Sequence, residues 1–318
     1  MDELGQARQR SELAGGVRSG RVHGAYLFEG VPGTGRRATA IWFARLLVCQ
    51  EAGDTPCERC GGCRRSAPRD DAPLGGHPDL HWLWAPGGSL RIEDVRSLQR
   101  ALYLAPNEGG RRVVILGGAE RLGLGAASAL LKSLEEPPPQ TTWILIAEHA
   151  STLPTTIRSR TTRIRFRTDP ESEVAAKLES EGVAAPDARL AAALGGGSLV
   201  AARSWIDANL AGARELRQAL ADVLESSDSE LLDLAESFRG SGDAARARVE
   251  LALSVYSAVA REQAEAAVER GDRAALDHWL GRFEAAGRAR RSWSTRNRNV
   301  QLVFEGLLLD WRPPGSGS

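Results

Sequence analysis

The sequence is almost without lysine. Of 41 basic residues, Lys132 and Lys177 are the only lysines and the rest are arginine. Ala and Gly are abundant as well, so this is a bias of composition, and an arginine where a lysine is usual carries little weight alone. Neither sign of charge is in excess, because 41 acidic residues balance the 41 basic ones. That excludes a whole-molecule attraction to nucleic acid; any such contact has to be a local patch or the property of an assembly. Long apolar runs are missing, with no stretch of about 18 or more apolar residues to span a bilayer. The opening residues, "MDELGQARQRSELAGG", lack the apolar core of a signal peptide. A soluble cytoplasmic protein with no membrane partner is the expectation. Cysteine is scarce too: there are four, all between positions 49 and 63.

A chain of 318 residues is too long for one ordinary core, so two or three domains are expected. The first half alternates short apolar strands with helical patterns, which predicts an α/β fold with a parallel sheet flanked by helices. Candidate strands are Ala25–Glu29, Asp79–Trp84, Val113–Leu116, Trp143–Ala147 and Arg163–Phe166. The run "VVIL" is continuously apolar, as a strand buried on both faces requires. In "RIEDVRSLQRAL", Ile92, Val95, Leu98 and Leu102 share a helical face, and Glu93 and Asp94 sit in the first turn, where the helix dipole favours acids. "GAASALLKSLEE" reads as a second helix, stopped by Pro137, Pro138 and Pro139. After Thr168-Asp169-Pro170 the texture becomes Ala-rich, charged and helical, broken by Gly195–Gly197 and again near Leu210-Ala211-Gly212. The predicted division is 1–168, 169–210 and 211–312, with a disordered tail at 313–318.

The stretch Gly30-Val31-Pro32-Gly33-Thr34-Gly35-Arg36-Arg37 follows the first strand and opens a helix. Gly30, Gly33 and Gly35 have the spacing of a phosphate-binding loop, G-x-x-x-x-G-K-[ST], whose backbone N–H groups curl round an anion at a helix N-terminus. Such a loop uses a lysine for the β- and γ-phosphates and a Ser or Thr hydroxyl for Mg²⁺. Both places hold arginine here, Arg36 and Arg37. The compositional bias covers Arg36. It does not cover Arg37, because a guanidinium has no lone pair for a metal and repels it. The second strand of such a site ends in a metal-holding Asp, but "RVVILGGAERL" ends in Gly117-Gly118, and Glu120 lies too far along to be equivalent. Lysine, hydroxyl and acid are lost together, which argues against hydrolysis. The plain alternative is a glycine turn between strand and helix.

Cys49, Cys57, Cys60 and Cys63 are spaced C-x7-C-x2-C-x2-C. Two-residue gaps let thiolates converge on one tetrahedral ion, and four ligands close its shell, so the reading is a structural Zn²⁺. Disulfides or a redox pair are the alternatives, and a reducing compartment disfavours the first.

In order along the chain stand the glycine loop, the cysteine insertion, "HPD" (His77–Asp79), "ASALLKSLEEPPPQTTWILIA" (Ala127–Ala147) and "LPTTIRSRT" (Leu153–Thr161). This series resembles the clamp-loader subunits of bacterial DNA polymerase III, and among them the delta-prime type, whose nucleotide site is degenerate. The likeness covers roughly Gly24 to Phe166; beyond it, only helical character and length agree. The resemblance implies an AAA+ module, a helical lid and an all-α collar that helps close a hetero-pentameric ring. It implies gamma/tau-type ATPase subunits and a delta-type subunit as partners, with the sliding clamp and primed DNA reached through the assembly. In that family a Ser-Arg-Cys motif sends its arginine to a neighbour's ATP. The role falls here on Arg160, beside Ser159, with Thr161 replacing Cys. An arginine finger stabilises charge on the transferred phosphoryl group. The bland alternative is one more arginine on an edge that also holds Arg158, Arg163, Arg165 and Arg167. Where an active lid carries G-S-x-R, "GGSLVAA" places Val200.

The leading expectation is a non-hydrolysing subunit that acts in trans, with ATP not hydrolysed and not necessarily bound by this chain. The alternative is a slow intrinsic ATPase using Arg36 and an acid such as Glu120. A DNA-binding module built from the cysteine knuckle and the basic stretch Gly287–Val300, which contains Trp293, ranks last. Trp82 and Trp84 are expected to pack a sheet face, and His77-Pro78-Asp79 to form a turn.

Overall fold

The computed structural model describes residues 6–51, 53–69, 72–84, 90–102, 106, 110–208, 210–223, 234, 236, 243–295, 306–308 and 311. The chain divides into two compact units, Met1–Asp169 and Pro170–Ser318. The tail at 313–318 and residues 296–300 of the basic stretch lie outside the described residues.

In the first unit the elements run α1 (Ala7–Arg18), β1 (Ala25–Glu29), α2 (Arg36–Leu47), α3 (Gly61–Arg65), β2 (Leu80–Trp84), α4 (Ile92–Leu102), β3 (Arg112–Gly117), α5 (Leu124–Glu135), β4 (Thr141–Ala147), α6 (Thr155–Arg158) and β5 (Thr162–Arg165). The strands form one parallel sheet in the order β2-β3-β4-β1-β5. Every residue of β3 and β4 is buried, as parallel strands covered on both faces must be. Period-two alternation sorts the side chains into two cores. Leu27, Val114, Leu116, Trp143 and Leu145 pack with Val95 of α4 and Leu130 of α5. Tyr26, Phe28, Val113, Ile115, Ile144 and Ile146 pack on the other face with Leu13 of α1 and Phe43 of α2. The α/β class read from the sequence is the fold observed.

The strand bounds differ from the expected ones where polar residues are buried. β3 begins at Arg112, which is only 2% exposed. Its Nη1 donates to the Leu102 carbonyl at 2.9 Å, and its Nε stands 4.0 Å from the buried Asp79 carboxylate. β4 begins at Thr141 and Thr142, both buried. An apolar run underestimates such strands because buried polar residues extend them. Asp79 belongs to the turn before β2, where its N–H donates to Nδ1 of His77 at 3.2 Å. β5 ends at Arg165, but the ladder runs one bond further, from the Phe166 N–H to the Glu29 carbonyl at 2.7 Å.

The second unit has no strand among its described residues. It comprises α7 (Glu171–Ser180), α8 (Ala185–Leu194), α9 (Leu199–Ala208), α10 (Leu210–Val223), α11 (Asp243–Arg270) and α12 (Arg273–Thr295). Pro170 caps the start of α7, and Gly195–Gly197 form the turn between α8 and α9. Arg261 of α11 ties this unit internally: it pairs with Glu171 and donates to the Ala193 carbonyl at 2.8 Å. Fully buried Trp311 packs on Tyr256 and Trp279, with ring centroids 4.3 and 4.9 Å away. Its indole N–H donates to the Leu220 carbonyl at 3.1 Å. No helix among the described residues is long and apolar enough to cross a membrane.

Candidate functional site: a filled phosphate loop, an edge arginine and a thiol cluster

The glycine loop leaves the C-terminal end of β1, between β4 and β5, where strand order reverses. Open parallel sheets bind ligands at such a switch point. Gly35 caps α2 in the left-handed region at φ 77°, a conformation that admits glycine most readily. Gln6, buried at the start of α1, covers it: a Cβ on Gly35 would fall 1.5 Å from the Gln6 amide nitrogen. The Gln6 carbonyl in turn accepts from the Thr39 hydroxyl at 2.9 Å and from Arg10 at 3.1 Å.

The two arginines of the loop have different surroundings. Burial pulls the Arg36 guanidinium below its ordinary pKa, and the charges of Glu148 and Glu120 oppose that shift. Acids of this chain thus face the cation that a lysine would offer to phosphate. Arg37 turns to the sheet. Its guanidinium lies 5.1 Å from the Trp82 ring and 5.3 Å from the Trp84 ring, within cation–π range of both. The two indoles stack at 5.6 Å with planes 11° apart. They are alternate residues of β2 and so share a sheet face. Trp84 also pairs in register with Gly117 and roofs it; a Cβ on Gly117 would sit 1.7 Å from the Trp84 ring. Where a phosphate loop brings hydroxyl, acid and metal together, this chain has a guanidinium, two indoles and a glycine.

Ser159 and Arg160 follow α6 at the exposed edge. The Arg160 Nη1 donates to the Thr156 carbonyl at 3.0 Å and to the Ser159 hydroxyl at 3.3 Å. Its Nη2 meets Oε1 of Glu135, the last residue of α5, at 2.6 Å. The neighbouring arginines behave differently. Arg163 and Arg165 both turn to Glu29, whose carboxylate also accepts the Ala150 N–H at 2.7 Å. Burial pushes the Glu29 carboxyl up, but the Ala150 N–H and the two guanidiniums outweigh it, and the net shift is downward. Val200 is 45% exposed on α9.

The four cysteines converge. Cys49 follows α2, Cys57 lies in the connecting loop, Cys60 caps α3 and Cys63 is within it. All are free thiols, and their sulfurs lie within 4.8 Å of one another. Cys57 and Cys63 Sγ are 3.9 Å apart, close to the about 3.8 Å that two 2.3 Å Zn–S bonds subtend at a tetrahedral angle. Backbone N–H groups of Cys60 and Cys63 donate to the sulfurs of Cys57 and Cys60, each at 3.3 Å. Burial opposes ionisation of Cys60. N–H groups of Gln50 and Cys63 and the thiols of Cys57 and Cys63 overcome it and bring Cys60 down to about 6. Burial and the adjacent Cys60, Cys49 and Cys57 push Cys63 up to about 12. A bound cation would favour the thiolate form of all four ligands. An all-sulfur set in a closed shell can hold a metal such as zinc.

Fold and loop together define an α/β module with a parallel sheet and a phosphate-loop-like glycine turn after its first strand. The family described as "DNA polymerase III, delta subunit" has a model that matches residues 5–170, just over half of the 318 residues. The chain belongs to that family. Among its relatives, the DNA polymerase III subunit delta' of Bacillus subtilis is 34% identical over 192 residues, 60% of this chain and 56% of the relative. The Escherichia coli subunit delta' is 35% identical over 222 residues, 68% of this chain and 65% of the relative. The chain thus spans less than two thirds of the length of these relatives. A crystal structure of a DNA polymerase III gamma subunit-related protein from Thermotoga maritima aligns with TM-score 0.47 and 17% identity, over 95% of this chain and 98% of the other.

The sequence placed the loop glycines, both arginines, Ser159, Arg160 and the cysteines as site residues. It missed three neighbours: Trp84 over Gly117, Gln6 over Gly35, and Glu135 on Arg160. The signals for two of them were present. Trp82 and Trp84 sit two apart on one strand and so share a face, and Glu135 places an acid at the negative end of a helix.

Proposed function

We propose that this chain is a non-hydrolysing, stator-like subunit of the sliding-clamp loader of a replicative DNA polymerase, and that it supplies Arg160 to the ATP of a neighbouring ATPase subunit. In this reading residues 1–168 form an AAA+ module, 169–210 a lid and 211–312 a collar. The collar joins gamma/tau-type and delta-type subunits in a hetero-pentameric ring that opens the clamp and sets it on primed DNA. Cys49, Cys57, Cys60 and Cys63 hold a structural Zn²⁺, which supplies a crosslink of the loop after α2 and no chemistry.

The observation that carries the reading is the filling of the metal position. Arg37 is held on Trp82 and Trp84, and Trp84 covers Gly117. Mg²⁺-dependent phosphoryl transfer needs an oxygen ligand at each of those places, and neither a guanidinium nor a glycine offers one. Arg160, by contrast, is exposed at an edge, with a guanidinium ready to exchange partners. An arginine finger acts on a site that has metal and nucleotide, so it serves a neighbour. Family membership and relatives named delta' support the same reading.

The test is Arg160→Ala in the assembly reconstituted with its ATPase subunits, the clamp and primed DNA. ATP turnover by the site that faces this chain should fall by on the order of 10³, with the ring still assembling. Unchanged DNA- and clamp-stimulated turnover removes the finger role. Mg²⁺-dependent turnover by the purified chain, abolished by Arg36→Ala, would replace the reading with an intrinsic ATPase.

A further inference from the structure

The arginine at the centre of the proposed function is already engaged. Three groups of its own chain hold it: the Thr156 carbonyl, the Ser159 hydroxyl and the Glu135 carboxylate, the last at 2.6 Å. Glu135 is an odd residue for its place. It ends α5 and is followed by a second acid, Glu136, at the cap. The partial negative charge of a helix C-terminus disfavours acids there. Lys132 is the one basic residue in that last turn, yet Glu135 pairs with Arg160. A local rule broken without a packing return points to use.

We propose that Glu135 is a positioning residue for Arg160: it parks the guanidinium against the end of α5 in the free chain and must release it before Arg160 meets a neighbour's phosphate. The inference rests on the finger reading above. The side chains of Arg160 and Glu135 are 35% and 47% exposed, so water and salt reach the pair and its hold is weak. Weakness suits a latch. A terminal phosphate carries more charge than a carboxylate and takes the same planar fork of donors, so the exchange replaces one charge-assisted bond with a stronger one. Until that moment the carboxylate neutralises the guanidinium and keeps it from stray anions. The carbonyl of Thr156 and the hydroxyl of Ser159 hold Nη1 and leave the Nη2 side as the part that changes partner.

The test compares wild type, Glu135→Gln, Glu135→Asp, Arg160→Ala and the Glu135→Gln/Arg160→Ala pair in the reconstituted assembly. If Glu135 parks Arg160, Glu135→Gln raises kcat about two- to fivefold in about 50 mM salt, leaves KM for ATP within about twofold, and loses its advantage above about 0.3 M salt. Glu135→Asp stays near wild type, and the gain disappears in the Arg160→Ala background. Thermal melts show that each variant is folded. Turnover by Glu135→Gln at or below wild type, with Arg160→Ala impaired, overturns the parking role and leaves the finger standing. An equal effect of Glu135→Gln with and without Arg160 makes Glu135 merely structural and also overturns it. Arg160→Ala without effect removes the finger reading, and the parking role falls with it.

Discussion

Trp84 stands over Gly117, paired with it in the sheet and so close that any side chain at 117 would enter the indole. In the proposed reading, that relationship ties the absence of a metal-holding acid to a packing fact. The end of β3 is where a phosphate-loop ATPase keeps a metal-holding acid. Here the space is part of the apolar and cation–π packing between β2 and α2. Reverting one residue therefore does not restore a metal site.

Gly117→Asp should destabilise the chain by about 2–4 kcal/mol, from overpacking and from a carboxylate buried without a partner. Adding Trp84→Ala removes the obstacle, so the double variant should be more stable than the two single losses combined. Denaturant unfolding of the four chains measures this coupling. Additive losses would mean that Trp84 and Gly117 do not contend for one space.

Magnesium should give this chain no advantage in holding nucleotide. With Arg37 on the indoles, ATP affinity measured by calorimetry should be the same within about threefold in Mg²⁺ and in chelator. Arg37→Thr restores a hydroxyl but no acid, and should leave the Mg²⁺ response flat. A tenfold gain in affinity with Mg²⁺ in wild type would place a metal ligand where none is described.

Metal analysis of protein prepared without chelator should find about one zinc per chain. Cys63→Ser should lose it. Because Cys63 is buried at the foot of the cluster, the variant should also melt several degrees lower, as a structural site contributes folding energy. Zinc-free wild-type protein with an unchanged melting temperature contradicts the assignment.

Glu29 offers a pH test. Its carboxylate joins the end of β1 to β5 through Arg163 and Arg165 and caps the Ala150 N–H. Its folded pKa lies below the unfolded value. It therefore contributes stability above the usual glutamate range, and that contribution is lost as pH falls through the folded pKa. Glu29→Gln should cost about 1–2 kcal/mol near pH 7, and the gap to wild type should close below about pH 4. A gap that persists at pH 3 would show packing, and not charge, at work.

The central strands β1, β3 and β4 were legible because they obey the simplest rule, apolar runs buried on both faces. The strand ends were less so: Arg112, Thr141 and Thr142 are buried strand residues that an apolar run does not announce. The cysteine cluster was legible from spacing alone, since two-residue gaps constrain geometry locally. The glycine loop and Arg160 were found as single residues, but what each touches was not. Gln6 reaches Gly35 from 29 positions away in sequence, and Glu135 meets Arg160 from 25. Such contacts depend on how helices cross the sheet, and no local pattern encodes that.

The most direct measurement is the structure of the intact assembly with a non-hydrolysable ATP analogue. The account predicts the Arg160 guanidinium within about 3 Å of a neighbour's terminal phosphate, its bond to Glu135 broken, and no metal beside Arg37. An analogue and Mg²⁺ seated in the 30–37 loop of this chain, with Arg160 still on Glu135, would contradict it.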